Sequence, residues 1–265
     1  MKHKAKKSLG QNFLKSAAAL KKIVEAGEIK SGDVILEIGP GKGALTEKLL
    51  ERVERGLPSL RGKVIAVEKD HELVEFLEKK FEEEIKNKKL ILVNDDILNF
   101  SITNDGFPIP KNYKLIANIP YNITGAVLKK FLSARNQPEL MVLMLQHEVA
   151  KRIMARDKKE SLLSISVKAY GTPKIIMKVP ARYFSPAPKV DSVIISIKNI
   201  SRQFFEQNNI NEENFWQIVK AGFAHKRKKL GGNLKNIANP IGLASVANKR
   251  AEDLALADWI ELTRA

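Results

Sequence analysis

Short apolar runs alternate with stretches of helical spacing through the first two-thirds of the chain. Runs at 34–38, 64–67, 90–93, 114–117 and 141–145 read as buried strands. Between them, 44–54, 71–85 and 125–132 place apolar residues at three- and four-residue intervals, the mark of a helix with one buried face. Ser16 reads as the N-cap of a helix over 17–25 that Gly27 stops, and Asp70 as the cap of the helix at 71–85. Strict alternation of strand and helix predicts right-handed βαβ crossovers and a mostly parallel sheet covered on both faces.

The alternation breaks twice. Segments 175–179 and 192–198 are joined by a proline-rich loop without a helix, which predicts an antiparallel hairpin at one sheet edge. From about residue 202 the pattern becomes helical throughout, at 211–224, 230–237, 244–247 and 253–262. The expected organisation is a catalytic domain over 1–201, preceded by a basic N-terminal arm, and a small helical domain over 202–265.

Composition narrows the classes. With 265 residues and 44% hydrophobic content, the chain is long and apolar enough to bury a substantial core. No apolar run approaches the roughly 18 residues of a membrane span, and the basic N-terminus lacks the apolar segment of a secretory signal. A cytoplasmic location is expected. The absence of cysteine excludes disulfides and thiolate chemistry. His3, His71, His147 and His225 are scattered without ligand spacing, so no metal site is expected. Lysine and arginine number 46 against 30 acidic residues, a net charge of +16. Such an excess favours a polyanionic partner, because neutralised phosphates release counterions. The charge is also clustered: Lys2, Lys4, Lys6 and Lys7 form a basic arm, and Lys226, Arg227, Lys228 and Lys229 an unbroken run.

Candidate chemistry falls at strand ends. Glu37-Ile38-Gly39-Pro40-Gly41-Lys42-Gly43-Ala44 follows the first strand and opens a helix, where glycines admit a ligand close to the backbone. Gly39, Gly41 and Ala44 also fit a relaxed dinucleotide fingerprint, which keeps a nicotinamide or flavin oxidoreductase open. Glu68 closes the second strand, placed to accept ribose hydroxyls. Asp95 and Asp96 follow the third, and Asp96 with Ile97 can bracket an adenine ring. Asn118-Ile119-Pro120-Tyr121 ends the fourth, joining an amide, a rigid turn and an aromatic ring suited to the edge and face of a nucleobase.

That tetrapeptide resembles the N-[ILV]-P-Y signature of the adenine-N6 ribosomal RNA methyltransferases. Gly10-Gln11-Asn12-Phe13-Leu14 is similar to the family's N-terminal cofactor motif, and Glu37 to Gly43 to its glycine loop. Phe184-Ser185-Pro186-Ala187-Pro188-Lys189-Val190 resembles its late aromatic-proline loop. Phe223-Ala224-His225-Lys226-Arg227-Lys228-Lys229-Leu230 resembles the opening of the C-terminal domain in the KsgA-type small-subunit dimethylating branch, which is favoured over the Erm-type large-subunit enzymes.

The resemblance implies a class I methyltransferase fold, a Rossmann-like sheet with one antiparallel edge strand and an all-helical C-terminal domain. It implies S-adenosylmethionine as methyl donor, held by Asn12, Leu14, Gly39, Gly41, Glu68, Asp96, Ile97 and Asn118. The implied substrate is a pair of adjacent adenosines near the 3′ end of small-subunit ribosomal RNA, carried to N6,N6-dimethyladenosine. Lys226, Arg227 and Lys228 would grip RNA, the partner being the immature small ribosomal subunit and the enzyme a monomer.

Chemistry gives the motif residues roles. The adenine amine is a poor nucleophile because its lone pair is conjugated into the ring. Acceptors at the Asn118 side chain and the Ile119 carbonyl would take its two N–H groups and turn the lone pair toward the methyl. Pro120 fixes the turn, while Tyr121 and Phe184 would stack on the two faces of the base. Neither a covalent intermediate nor a dedicated base is required.

Five departures from the family pattern stand out. The loops at 52–62 and 101–112 are long, His147 stands where a lysine is expected, and Ile119 and Gly125 differ from the commonest dimethylase residues. A non-catalytic RNA-binding relative is a further rival, opposed by the intact Gly39, Glu68, Asp96 and Asn118. An oxidoreductase would leave the 118–121 loop and the basic run unexplained.

Overall fold

The computed structural model describes residues 4–53, 62–101, 109–155 and 157–264. The tips of both long loops therefore lie outside the described residues. The chain divides into two compact units, Met1–Ala150 with Lys174–Ile200 and Lys151–Pro173 with Ser201–Ala265.

The strands are β1 (Phe13–Leu14), β2 (Val34–Ile38), β3 (Lys63–Glu68), β4 (Leu90–Asn94), β5 (Tyr113–Asn118), β6 (Leu140–Gln146), β7 (Thr172–Val179), β8 (Phe184–Ser185) and β9 (Ser192–Lys198). Seven of them form one sheet in the order β4-β3-β2-β5-β6-β9-β7. β2 pairs in parallel with β3 and β5, β3 with β4, and β5 with β6. Unbroken apolar runs explain the centre of this sheet. Met141 through Leu145 in β6 are all fully buried, as a strand covered on both faces requires.

The departure from parallel order is where the sequence placed it, with β7 and β9 hydrogen-bonded neighbours at one edge of the sheet, but the antiparallel strand beside β6 is not the edge strand. β9 runs antiparallel to β6, with Met144 opposite Ile194 and Gln146 opposite Ser192. It sits one position in from the edge, and β7 takes the edge itself. A second feature has no sequence signal: β1 and β8 form a two-stranded antiparallel ladder, Phe13 opposite Ser185 and Leu14 opposite Phe184. Two-residue strands are too short to show a period.

The helices of the first unit follow their caps. In α1 (Ala17–Ala26), Ser16 Oγ accepts the Ala19 N–H; α2 covers Ala44–Val53. The helix expected over 71–85 is broken at Phe81 into α3 (His71–Lys80) and α4 (Glu82–Lys86). The break accompanies a buried Phe81 ring that lies against Gly43, where an added Cβ would stand 2.5 Å from the ring. α5 (Thr124–Leu132) follows β5, and α6 (His147–Met154) follows β6.

The second unit is built on α7 (Leu162–Lys168), α8 (Gln203–Gln207), α9 (Glu212–Ala224), α10 (Leu230–Leu234), α11 (Pro240–Val246) and α12 (Asp258–Thr263). Residues 151–173, which in sequence continue the strand-helix pattern, group here through Tyr170. Its hydroxyl donates to Glu212, accepts the Trp216 indole N–H at 3.0 Å, and its ring stacks on Trp216. The core of this unit is Phe215, Ile218, Leu230, Leu234, Leu254 and Trp259. Gly222 admits the Trp259 ring, since a Cβ there would meet it at 2.5 Å. α10 ends earlier than expected. α11 starts earlier, because Asn239 caps it ahead of Pro240 at the first turn. α12 starts at 258, after a 3₁₀ turn over Ala251–Asp253.

Candidate active site

Parallel pairing brings the ends of β2, β3, β4 and β5 to one edge of the sheet, and a cavity of about 270 Å³ opens there. Every residue singled out for cofactor or base contact lines it: Asn12, Leu14, Gly39, Gly41, Glu68, Asp96, Ile97, Asn118, Ile119, Pro120, Tyr121 and Phe184. All of them belong to the first unit. Lys226, Arg227 and Lys228 lie in the second unit, exposed, immediately after α9.

The glycine loop is held through its backbone N–H groups. Gly39 donates its N–H to the Val67 carbonyl at 2.9 Å. Gly41 has φ +60° and approaches the Phe13 ring so closely that a Cβ would stand 3.0 Å away. Its N–H donates to Glu68 Oε2 at 3.1 Å, while the Asp70 N–H donates to Glu68 Oε1 at 3.0 Å. Glu68 is only 6% exposed; burial raises its carboxyl pKa, and these two donors oppose the shift. A carboxylate offers about four lone-pair sites, so beyond its backbone donors Glu68 keeps acceptor capacity, in a fixed position, for a diol at the cavity wall.

Asp96 accepts from Lys69 Nζ at 2.9 Å and from the Leu98 N–H at 2.9 Å. The lysine, followed by that N–H, lowers its pKa, so it stands as a carboxylate. Ile97 beside it is buried, as an apolar contact for an adenine face requires.

The N-terminal segment closes the cavity from outside the sheet. Lys6 Nζ and Gln11 Nε2 each donate to Asp70 at 2.7 Å. Lys42 Nζ lies 4.9 Å from the centre of the Phe13 ring. Asn118 Nδ2 donates to the Asn12 carbonyl at 3.3 Å, which leaves the Asn118 side-chain oxygen as its accepting group. Pro120 holds φ −58° and ψ 136°, and Tyr121 begins a single 3₁₀ turn. Tyr121 is partly buried, and its hydroxyl lies 2.6 Å from Ser192 Oγ. Phe184 lines the cavity but is 3% exposed and packs into the core beside Leu14.

Motif reasoning missed three features. Glu37 lines the cavity at 1% exposure, its Oε2 has no hydrogen-bond partner, and burial pushes its carboxyl up to about 8. It lies inside the glycine motif, so its position was visible but its burial was not. The grip of Lys6 and Gln11 on Asp70 and the pairing of Tyr121 with Ser192 join residues tens of positions apart, and no local pattern signals them. His147 has its N–H bonded to the Asp191 carbonyl at 3.0 Å.

A mostly parallel seven-stranded sheet with glycines, an acid and an Asn-Ile-Pro-Tyr loop at successive strand ends defines a Rossmann-like methyltransferase fold. The chain matches the family described as ribosomal RNA adenine dimethylase over residues 2–262. It is 40% identical over 269 residues to ribosomal RNA small subunit methyltransferase A of Dehalococcoides mccartyi, covering 98% of this chain and 87% of that protein. The counterpart of the same name from Fusobacterium nucleatum is 37% identical, covering 100% and 98%. Among solved structures, a dimethyladenosine transferase from Plasmodium falciparum superposes with a TM-score of 0.75 at 27% identity, covering 94% of this chain and 95% of that one. The 23S rRNA methyltransferase ErmE superposes with a TM-score of 0.74 at 25% identity, covering 95% and 98%. The chain belongs to the ribosomal RNA adenine dimethylase family.

Proposed function

We propose that this protein transfers methyl groups from S-adenosylmethionine to the N6 amines of two adjacent adenosines near the 3′ end of small-subunit ribosomal RNA, giving N6,N6-dimethyladenosine. The observation that carries this reading is one cavity walled on one side by Gly39, Gly41, Glu68 and Asp96 and on the other by Asn118 to Tyr121. The small-subunit assignment rests on the relatives, since the folds of the two solved structures do not separate the branches.

The residues present suit the cofactor. Glu68 offers fixed acceptors to a ribose, Asp96 and Ile97 an edge and a face to an adenine, and the glycine loop close backbone approach. Bound there, the cofactor supplies an electrophilic methyl on a sulfonium. The chain's own part is to hold the target amine: the Asn118 side-chain oxygen and the Ile119 carbonyl accept its N–H groups, and Tyr121 stacks on the base. Phe184 supports the opposite side of the pocket. Stacking contributes about 1–3 kcal/mol per base, comparable to the cost of drawing a base out of its stack. Once methylated, the cationic amine loses its proton to water.

Lys226, Arg227 and Lys228 contact RNA phosphates, and the substrate is an immature small subunit in the cytoplasm, met by a monomeric enzyme. The test is incubation with radiolabelled S-adenosylmethionine and unmethylated small subunits, large subunits or free RNA. Label in the small-subunit RNA is expected. Label confined to large-subunit RNA would move the protein to the Erm-type branch, and no label would leave a binding protein.

A further inference from the structure

We infer that Ser192 is a positioning residue for methyl transfer, acting through Tyr121; the inference rests on the reading of Tyr121 as the base-stacking ring. Ser192 opens β9, is fully buried, and its Oγ shares a hydrogen bond of 2.6 Å with the Tyr121 hydroxyl. Tyr121 lines the cavity and Ser192 does not. The two are 71 residues apart, so the bond ties the loop after β5 to the strand after the aromatic-proline loop.

The serine is a stiff anchor because its surroundings are pinned. It stands opposite Gln146 in the β6–β9 ladder. The preceding Asp191 accepts the Ala181 N–H at 3.0 Å, pairs with Lys178 at 3.0 Å, and takes the His147 N–H on its own carbonyl. A tyrosine at the start of a single 3₁₀ turn has two torsions free to swing its ring. Holding the hydroxyl removes that freedom before the base arrives, so the ordering cost is not met during binding. Phe184 leads into the same loop through β8, paired with Leu14. One segment, 184–192, thus carries one cavity aromatic and the anchor of the other.

The test uses Ser192→Ala, Ser192→Thr, Tyr121→Phe and the Ser192→Ala/Tyr121→Phe double variant, assayed for methylation of unmethylated small subunits. S-adenosylmethionine affinity and thermal midpoint are recorded for each. Ser192→Ala and Tyr121→Phe should each lower kcat/KM for the particle about tenfold, with cofactor affinity held within about twofold. The double variant should be no worse than either single one, because both remove the same bond, and Ser192→Thr should recover most of the loss. An unchanged kcat/KM in Ser192→Ala, or losses that multiply in the double variant, would overturn the inference. So would a loss in Ser192→Ala that follows a lowered midpoint and is absent from Tyr121→Phe. Tyr121→Ala separates the two ideas: wild-type kcat/KM there sinks the stacking reading itself, whereas a large loss there beside a normal Ser192→Ala sinks only the anchor.

Discussion

The two sides of the cavity are made from different materials. At the ends of β2 and β3 the wall is backbone N–H groups held at short range by the sheet: Gly39 on the Val67 carbonyl, and Gly41 and Asp70 on the buried Glu68 carboxylate. At the end of β5 the wall is side chains held by distant partners, Asn118 on Asn12 and Tyr121 on Ser192. A small ligand of fixed shape can be met by a surface that the sheet preorganises. On the proposed reading this side meets a base drawn from a large RNA, and its Asn118 and Tyr121 side chains are held by residues brought near only by tertiary folding.

That contrast breaks most sharply at Asn118. Asn118→Ala should lower the single-turnover methylation rate by about 10²–10³-fold, the usual cost of losing one group aimed at a reacting centre. A smaller loss would place the amine's acceptors elsewhere. Tyr121→Ala should lower kcat/KM for the particle by about 10–100-fold, from lost stacking, and leave cofactor affinity near wild type. Glu68→Gln should do the reverse, weakening cofactor binding measured by calorimetry about tenfold while sparing particle affinity.

Glu37 sharpens the backbone side through pH. Its folded pKa of about 8 lies above the ordinary 4.5 because burial disfavours the charged form. The native state keeps a proton that the unfolded chain releases, so the stability this carboxyl contributes is full below 4.5 and is lost as pH rises toward 8. Glu37→Gln should therefore gain thermal midpoint relative to wild type across that window, by at most about 1.4 kcal/mol per pH unit. Parallel midpoint curves for the two proteins would show that Glu37 ionises normally. The smallest effect concerns the second unit. Replacing Lys226, Arg227 and Lys228 by Gln should reduce the slope of log affinity for RNA against log salt by about 2, with cofactor binding untouched.

Legibility followed the range of the signal. The central strands were readable because Met141 to Leu145 are apolar without interruption, and α1 and α3 because Ser16 and Asp70 cap them. The cavity residues were readable because the motif order matches strand ends. What escaped had no local period: the two-residue ladder of β1 and β8, the break at Phe81, and the grouping of 151–173 with the C-terminal unit through Tyr170. Of the segments predicted as an edge hairpin, the one next to β6 was not named, although β9 is buried along almost its whole length and β7 carries two lysines and lies largely open.

By itself the sequence determined the alternation of strands and helices, the chemical identity of each strand end, and the family, since these depend on residue type and near-neighbour spacing. Only the tertiary structure decided that Glu37 is buried with its Oε2 left without a hydrogen-bond partner, that Lys6 and Gln11 lock onto Asp70, and that Ser192 holds Tyr121. Burial and long-range hydrogen bonds arise where segments meet in space, and no window of sequence contains both partners.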